Sequence, residues 1–131
     1  NSVSKELVWI AKDGELGLFN RSNNSILLEP CCSSIKRIKD GIFLLEKNGL
    51  FGMASMKKGL LLSIRYSEIR MTMYSECYIV SYQTKFGICN INKGMILPIK
   101  YDEIEEMDSG FFKLRLGSTY SYVDNVGKIM R

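Results

Sequence analysis

The chain repeats itself about every 35 residues, and a repeat constrains architecture before any single side chain is interpreted. Glu15-Leu16-Gly17-Leu18-Phe19 aligns with Leu50-Phe51-Gly52-Met53-Ala54, with Lys85-Phe86-Gly87-Ile88-Cys89 and with Thr119-Tyr120-Ser121-Tyr122-Val123. The anchors Gly17, Gly52, Gly87 and Ser121 lie 35, 35 and 34 residues apart. One supersecondary unit has been copied. Repeats of this length build extended binding surfaces more often than catalytic pockets.

Ten residues before each anchor a short apolar segment begins: Leu7-Val8-Trp9-Ile10, Ile42-Phe43-Leu44-Leu45, Cys77-Tyr78-Ile79-Val80 and Phe111-Phe112-Lys113-Leu114. Aromatic and β-branched residues in runs this short, each followed by a polar turn, read as strands. Asp13-Gly14 and Asn48-Gly49 are hairpin signals, because both central residues of a type I′ turn need positive φ. The anchor segment is then a second strand. A third follows at Ile26-Leu27-Leu28, Leu60-Leu61-Leu62 and Met95-Ile96-Leu97. Neighbouring positions in these strands are both apolar, which predicts cover on both faces, as stacked units would give.

After the third strand comes a tail, Ser63-Ile64-Arg65-Tyr66-Ser67-Glu68-Ile69 in the second copy and Pro98-Ile99-Lys100-Tyr101-Asp102-Glu103-Ile104 in the third. Pro98 reads as the end of a strand, and Tyr66 and Tyr101 as spacers between units. The first copy, Pro30-Cys31-Cys32-Ser33-Ser34-Ile35, lacks the tyrosine. The expected fold is all-β: twelve strands in tandem three-stranded meanders of ~35 residues, stacked into a solenoid-like or propeller-like array. Three strands per unit favour the solenoid, since propeller blades carry four. The chain divides into a partial repeat 1–40, repeats 41–75 and 76–109, and a partial repeat 110–131, together a single domain over 1–131. Neither end shows a polar capping unit, so the chain reads as a fragment of a longer array.

Composition adds limits. With 46% apolar and 24% charged residues the chain is an ordinary globular sequence, without a run long enough for a membrane-spanning helix and without a leader pattern. Its four cysteines read as reduced fillers, because Cys31 and Cys32 are adjacent and Cys77 and Cys89 lie within apolar runs. A Cys77–Cys89 disulfide is the alternative. Unpaired thiols lean toward a cytoplasmic setting, with an envelope or secreted location as the alternative. The chain has no histidine, which removes the usual base for a serine or cysteine nucleophile and any Cys₂His₂ zinc site. No enzyme activity, cofactor or metal is expected.

The order of aromatic-Gly in a strand, a Lys-Gly or Asn-Gly turn, an apolar strand, Pro-x-x-Tyr-Asp-Glu-Ile and then Ser-Gly resembles the WG β-repeat family, also called KWG repeats. The third copy carries it best, in Phe86-Gly87, Lys93-Gly94, Leu97-Pro98, Tyr101-Asp102-Glu103-Ile104 and Ser109-Gly110. The resemblance extends over nearly all of the chain, although no copy contains Trp-Gly and Trp9, the single tryptophan, lies elsewhere. It implies a mostly bacterial family, an all-β array, no common catalytic activity, and a place beside other domains in envelope or interaction contexts. Gly17, Gly52, Gly87, Pro98, Tyr66 and Tyr101 are then structural positions of the repeat, the glycines allowing a close approach.

Three constellations remain. Asp102, Glu103, Glu105, Glu106 and Asp108 lack the spacing of a calcium loop and read as a solvated turn. Residues 13–82 hold nine basic side chains against seven acidic ones, too small an excess for a nucleic-acid groove. Among the aromatics, Tyr74 and Tyr82 have no aromatic counterparts in the third copy. With Arg70 they are the candidate contact residues, Arg70 and Tyr74 standing on the irregular second repeat. The reading that follows is a non-catalytic module for protein–protein interaction. Glycan or envelope binding and a structural spacer are the alternatives, and an exposed edge strand offers self-association.

Overall fold

A computed structural model describes residues 7–39, 41–74 and 76–130. It is built of antiparallel β-sheets, with no helix among the described residues. The expected hairpins form where the turn signals place them. β1 (Leu7–Lys12) pairs with β2 (Glu15–Asn20), β5 (Ile42–Lys47) with β6 (Leu50–Ser55), β9 (Cys77–Tyr82) with β10 (Lys85–Asn90), and β13 (Phe111–Leu116) with β14 (Thr119–Asp124). Asp13 and Gly14, and Asn48 and Gly49, all have positive φ, as type I′ turns require. Gln83 and Thr84 do the same job in the third copy without a glycine.

The three-stranded unit gives way to a four-stranded one. The third strands run on through the tails as β3 (Ser25–Cys32), β7 (Gly59–Tyr66) and β11 (Gly94–Tyr101). After one residue each, Ser33, Ser67 or Asp102, the chain enters a further strand: β4 (Ser34–Lys39), β8 (Glu68–Met71) or β12 (Glu103–Glu106). Each of these opens the following sheet. The sheets are β1-β2-β3, β4-β5-β6-β7, β8-β9-β10-β11 and β12-β13-β14-β15, the last strand being Ile129–Met130. Fifteen strands are described instead of the twelve expected, and the strand count no longer favours a solenoid over a propeller. Each connector is held by a backbone hydrogen bond to the sheet that it enters. Ser33 N–H donates to Glu46 O at 2.8 Å, Ser67 N–H to Ser81 O at 2.9 Å, and Asp102 N–H to Arg115 O at 2.8 Å. All three acceptors stand at the same phase of the repeat.

Pro98 does not end its strand. It lies inside β11, an outer strand of its sheet, where a missing N–H is tolerated. The pairing skips there: Ile88 faces Leu97 while Phe86 faces Tyr101, so extra residues of β11 bulge over Gly87. A Cβ on Gly87 would sit 2.7 Å from Leu97 O and 2.9 Å from Ile99 Cγ1. Gly17 and Gly52 lie under the same crossing, with a Cβ 2.4 Å from Leu28 O and 2.6 Å from Leu62 O. The anchor glycine is thus set by a neighbouring backbone, as expected. Ser121 stands where no described residue of β15 crosses, since β15 pairs only with Tyr122 and Val123.

The chain forms two compact units, Asn1–Arg65 and Tyr66–Arg131. In the first, Leu7, Leu18, Leu28 and Cys32 of the first sheet meet Ile35, Phe43, Leu45 and Ala54 of the second. In the second, Cys77, Ile79, Ile88, Leu97 and Tyr101 of the third sheet meet Ile104, Phe112, Leu114 and Val123 of the fourth. Tyr66 and Tyr101 are buried strand ends, and Tyr101 packs in the core between the third and fourth sheets, as a tyrosine between repeats would. Cys32, fully buried, fills the tyrosine's place in the first copy, opposite Leu16 as Tyr101 is opposite Phe86. Cover on both faces holds for inner strands such as β9, where Cys77 through Ser81 are buried, but not for the outer β7, whose Leu60 is 52% exposed.

Candidate functional site

The three residues marked by sequence all belong to the second unit but do not form one patch. Arg70 lies on β8, half-exposed, 3.5 Å from Glu68, with its guanidinium 5.9 Å from the Phe86 ring centre. Tyr74 stands before the start of β9 and Tyr82 is its last residue, and a six-residue strand is about 17–20 Å long. Tyr74 is engaged internally. Its hydroxyl donates to Met107 O at 2.6 Å and accepts from Gly110 N–H at 2.8 Å, and its ring meets Phe112 edge-on at 5.3 Å. It ties the β8–β9 loop to the β12–β13 turn. Tyr82 is 38% exposed, beside the Gln83-Thr84 turn.

Arg70 does line a cleft of about 410 Å³, with Ile79 and Phe86 on one side and Glu103, Glu105, Glu106 and Arg115 on the other. Glu103, Glu105 and Glu106 belong to the outer strand β12 and Asp102 to its connector, because the tail continues as a strand, while Asp108 lies in an exposed turn as expected. Most are already engaged. Asp102 is ion-paired with Lys85, accepts Gly117 N–H at 2.7 Å and lies 3.8 Å from Arg115. The hydrogen bond from Lys85, then that from Gly117, holds its carboxyl below the usual range. Glu103 is 3.4 Å from Arg115, and Glu106 accepts Met73 N–H. Among the described residues no group of three or more His, Cys, Asp or Glu is arranged to hold a metal.

The cysteines are free thiols, and the Cys77–Cys89 disulfide is not formed. Burial, reinforced by neighbouring Cys31, pushes the Cys32 thiol up to about 12, and burial with Cys77 pushes Cys89 up to about 11. These are neutral packing groups at physiological pH rather than nucleophiles. Trp9 packs against the first unit's core, and Tyr66, Tyr78 and Tyr101 are buried, so these rings serve as interior packing groups.

Sequence reasoning missed the solvent face of the fourth sheet. Phe112 and Leu114 point into the core, so alternation sends Phe111, Lys113 and Arg115 to the other side. Tyr122 and Tyr120 face Lys113 and Arg115 across the β13–β14 pair, and Met130 faces Tyr122. Tyr120 is 55% exposed and Met130 43%. Phe111 packs edge-on against Tyr122 at 5.7 Å, and Lys113 Nζ stands 4.7 Å from the Tyr120 ring centre. Met107, Phe111, Tyr122 and Met130 line an open apolar cleft of about 340 Å³. The signal was in the alignment: Lys113 occupies the position of Trp9, Leu44 and Ile79, and Tyr122 that of Leu18, Met53 and Ile88. The face is amphipathic.

No helix among the described residues is long and apolar enough to cross a membrane. No curated protein matches the chain. Residues 86–120 match the family model described as the WG containing repeat, over the copy that carries the motif most fully.

Proposed function

We propose that the chain is a non-catalytic repeat module that binds another protein through the solvent face of its fourth sheet. The observation that carries this reading is the mixture on that face: Phe111, Tyr120, Tyr122 and Met130 interleaved with Lys113 and Arg115. Aromatic residues, Met and Arg are the types enriched at protein interfaces and at their energetic centres. The rings are less suited to stacking a sugar, since Lys113 already lies over Tyr120 and Phe111 and Tyr122 meet edge to face. A repeat array, solenoid-like or propeller-like, is the form in which such a face would be displayed.

The test is capture from a nuclease-treated lysate of the source cells on the immobilised chain, with Tyr120→Ala/Tyr122→Ala and Tyr82→Ala run in parallel. The reading expects a stoichiometric protein that is lost with the first variant and kept with the second. Loss with Tyr82→Ala alone would move the contact to the third sheet. Absence of any protein, with tyrosine emission that responds to glycans, would replace the reading with the glycan alternative.

A further inference from the structure

The two intra-unit sheet contacts follow one rule. In the first unit, Phe43, Leu45 and Ala54 of the second sheet pack against Leu7, Leu18 and Leu28 of the first. In the second unit, Phe112, Leu114 and Val123 of the fourth sheet pack against Cys77, Ile88 and Leu97 of the third. Counted from the anchors these are the same positions, except that Leu28 and Leu97 correspond by register, each facing the residue that follows its anchor glycine. Within each unit the earlier sheet thus presents forward the phases of Leu7, Leu18 and Leu28, or of Cys77, Ile88 and Leu97, and the later sheet presents rearward those of Phe43, Leu45 and Ala54, or of Phe112, Leu114 and Val123.

The fourth sheet's forward face and the first sheet's rearward face lie outside both cores and keep exposed residues. The fourth sheet's forward positions are Phe111 and Tyr122, with Met130 opposite Tyr122 as Leu28 is opposite Leu18 and Leu97 opposite Ile88. They line the 340 Å³ apolar cleft. The first sheet's rearward positions are Val8, Ile10 and Phe19, with Phe19 facing Val8 on one side and Ile26 on the other. None of these four belongs to the first unit's core, and Ile26 is 49% exposed.

We infer that the fourth sheet's solvent face docks the first sheet's outer face of a second copy of this chain, Val8, Ile10 and Phe19 seating against Phe111, Tyr122 and Met130. The inference rests on the protein-binding reading above and names the partner. What argues for this occupant is continuity with the two contacts already in the molecule: the phases that meet inside each unit are the phases left unmatched on these two faces. Tyrosine and lysine in place of Leu18 and Trp9 let the forward face tolerate water when alone, since both bury an apolar body and keep a polar tip wet. The association is therefore reversible. It is also head-to-tail, using different patches on the two copies, so symmetry does not stop it at a dimer.

The experiment is sedimentation velocity of the whole chain over a dilution series, with two variants at exposed positions. Tyr122→Glu breaks the forward face and Ile26→Glu the rearward one, and circular dichroism checks that each remains folded. Wild type is expected to show a mass that rises with concentration beyond a dimer, and each variant alone to stay monomeric. Mixed in equal amounts, the variants are expected to form a 1:1 complex and nothing larger, since each retains one intact face. A wild type that stays monomeric throughout overturns the inference while leaving capture of a different protein, and so the binding reading, intact. Association that survives Tyr122→Glu points to edge-strand pairing and overturns it too. So does association lost with Tyr122→Glu but retained in Ile26→Glu, which indicates a two-fold contact between fourth sheets.

Discussion

The two compact units are built from the same strands at the same phases, yet they are tied together differently. In the first, residues 40–41 join β4 to β5, and Lys47 reaches Glu15 from one sheet to the other. In the second, the link from β8 to β9 spans residues 72–76 and carries Tyr74, whose hydroxyl bridges to Met107 and Gly110, while Lys85 and Arg115 converge on Asp102. Strand pairing and core phase are properties of the repeat. The polar ties between sheets belong to each copy, and they are where a copy acquires its own character.

That equivalence is tested first in the core. Phe43→Ala and Phe112→Ala remove rings that are almost wholly buried at one repeat phase, and each is expected to cost about 4 kcal/mol. Denaturant titration that finds one far cheaper than the other would break the parallel between units. Next come the anchors. Gly87→Ala forces the bulged β11 backbone to move and is expected to cost about 3 kcal/mol, as overpacking does. Ser121→Ala, at the same phase without a crossing strand among the described residues, should change stability by less than about 0.5 kcal/mol. Equal losses at the two sites would mean that the crossing is not what demands glycine.

Tyr74→Phe sharpens the contrast between ties. It leaves Gly110 N–H and Met107 O without this partner and is expected to cost about 1–2 kcal/mol. Hydrogen exchange at Gly110 should accelerate, and an unchanged rate would show that the tie does not hold the turn. The smallest effect is electrostatic. Asp102 has a carboxyl pKa lowered on folding, so its contribution is present above the unfolded value of about 4 and is lost as pH falls through the folded one. Asp102→Asn should therefore flatten the acid side of the stability profile. The pair is exposed enough for solvent to screen it, and a profile identical to wild type would remove Asp102 from the account.

Much of this fold is written locally. Asp13-Gly14 and Asn48-Gly49 place two hairpins, because positive φ at paired positions is a demand few residue types meet. The fourth strand of each sheet was not legible, since its partner lies in the next repeat and Pro98 reads as a breaker until β11 is seen to be an outer strand. Nor was the exchange of tyrosine for Cys32, which depends on the register opposite Leu16. Of the marked contact residues, Tyr74 stood out as irregular, but only coordinates show its hydroxyl at work between two loops. The fourth-sheet face was legible in principle: Lys113 and Tyr122 break an apolar pattern held in the three earlier copies.

The single-residue connectors Ser33, Ser67 and Asp102 put the copied stretch of sequence out of step with the sheet it helps to build. A gene encoding such a chain gains from this. Because each sheet takes its opening strand from the preceding copy, an in-frame duplication or loss of one ~35-residue stretch restores a four-stranded sheet wherever in the cycle the breakpoints fall. Recombination needs no particular boundary, so the length of such an array can change without passing through a half-built sheet.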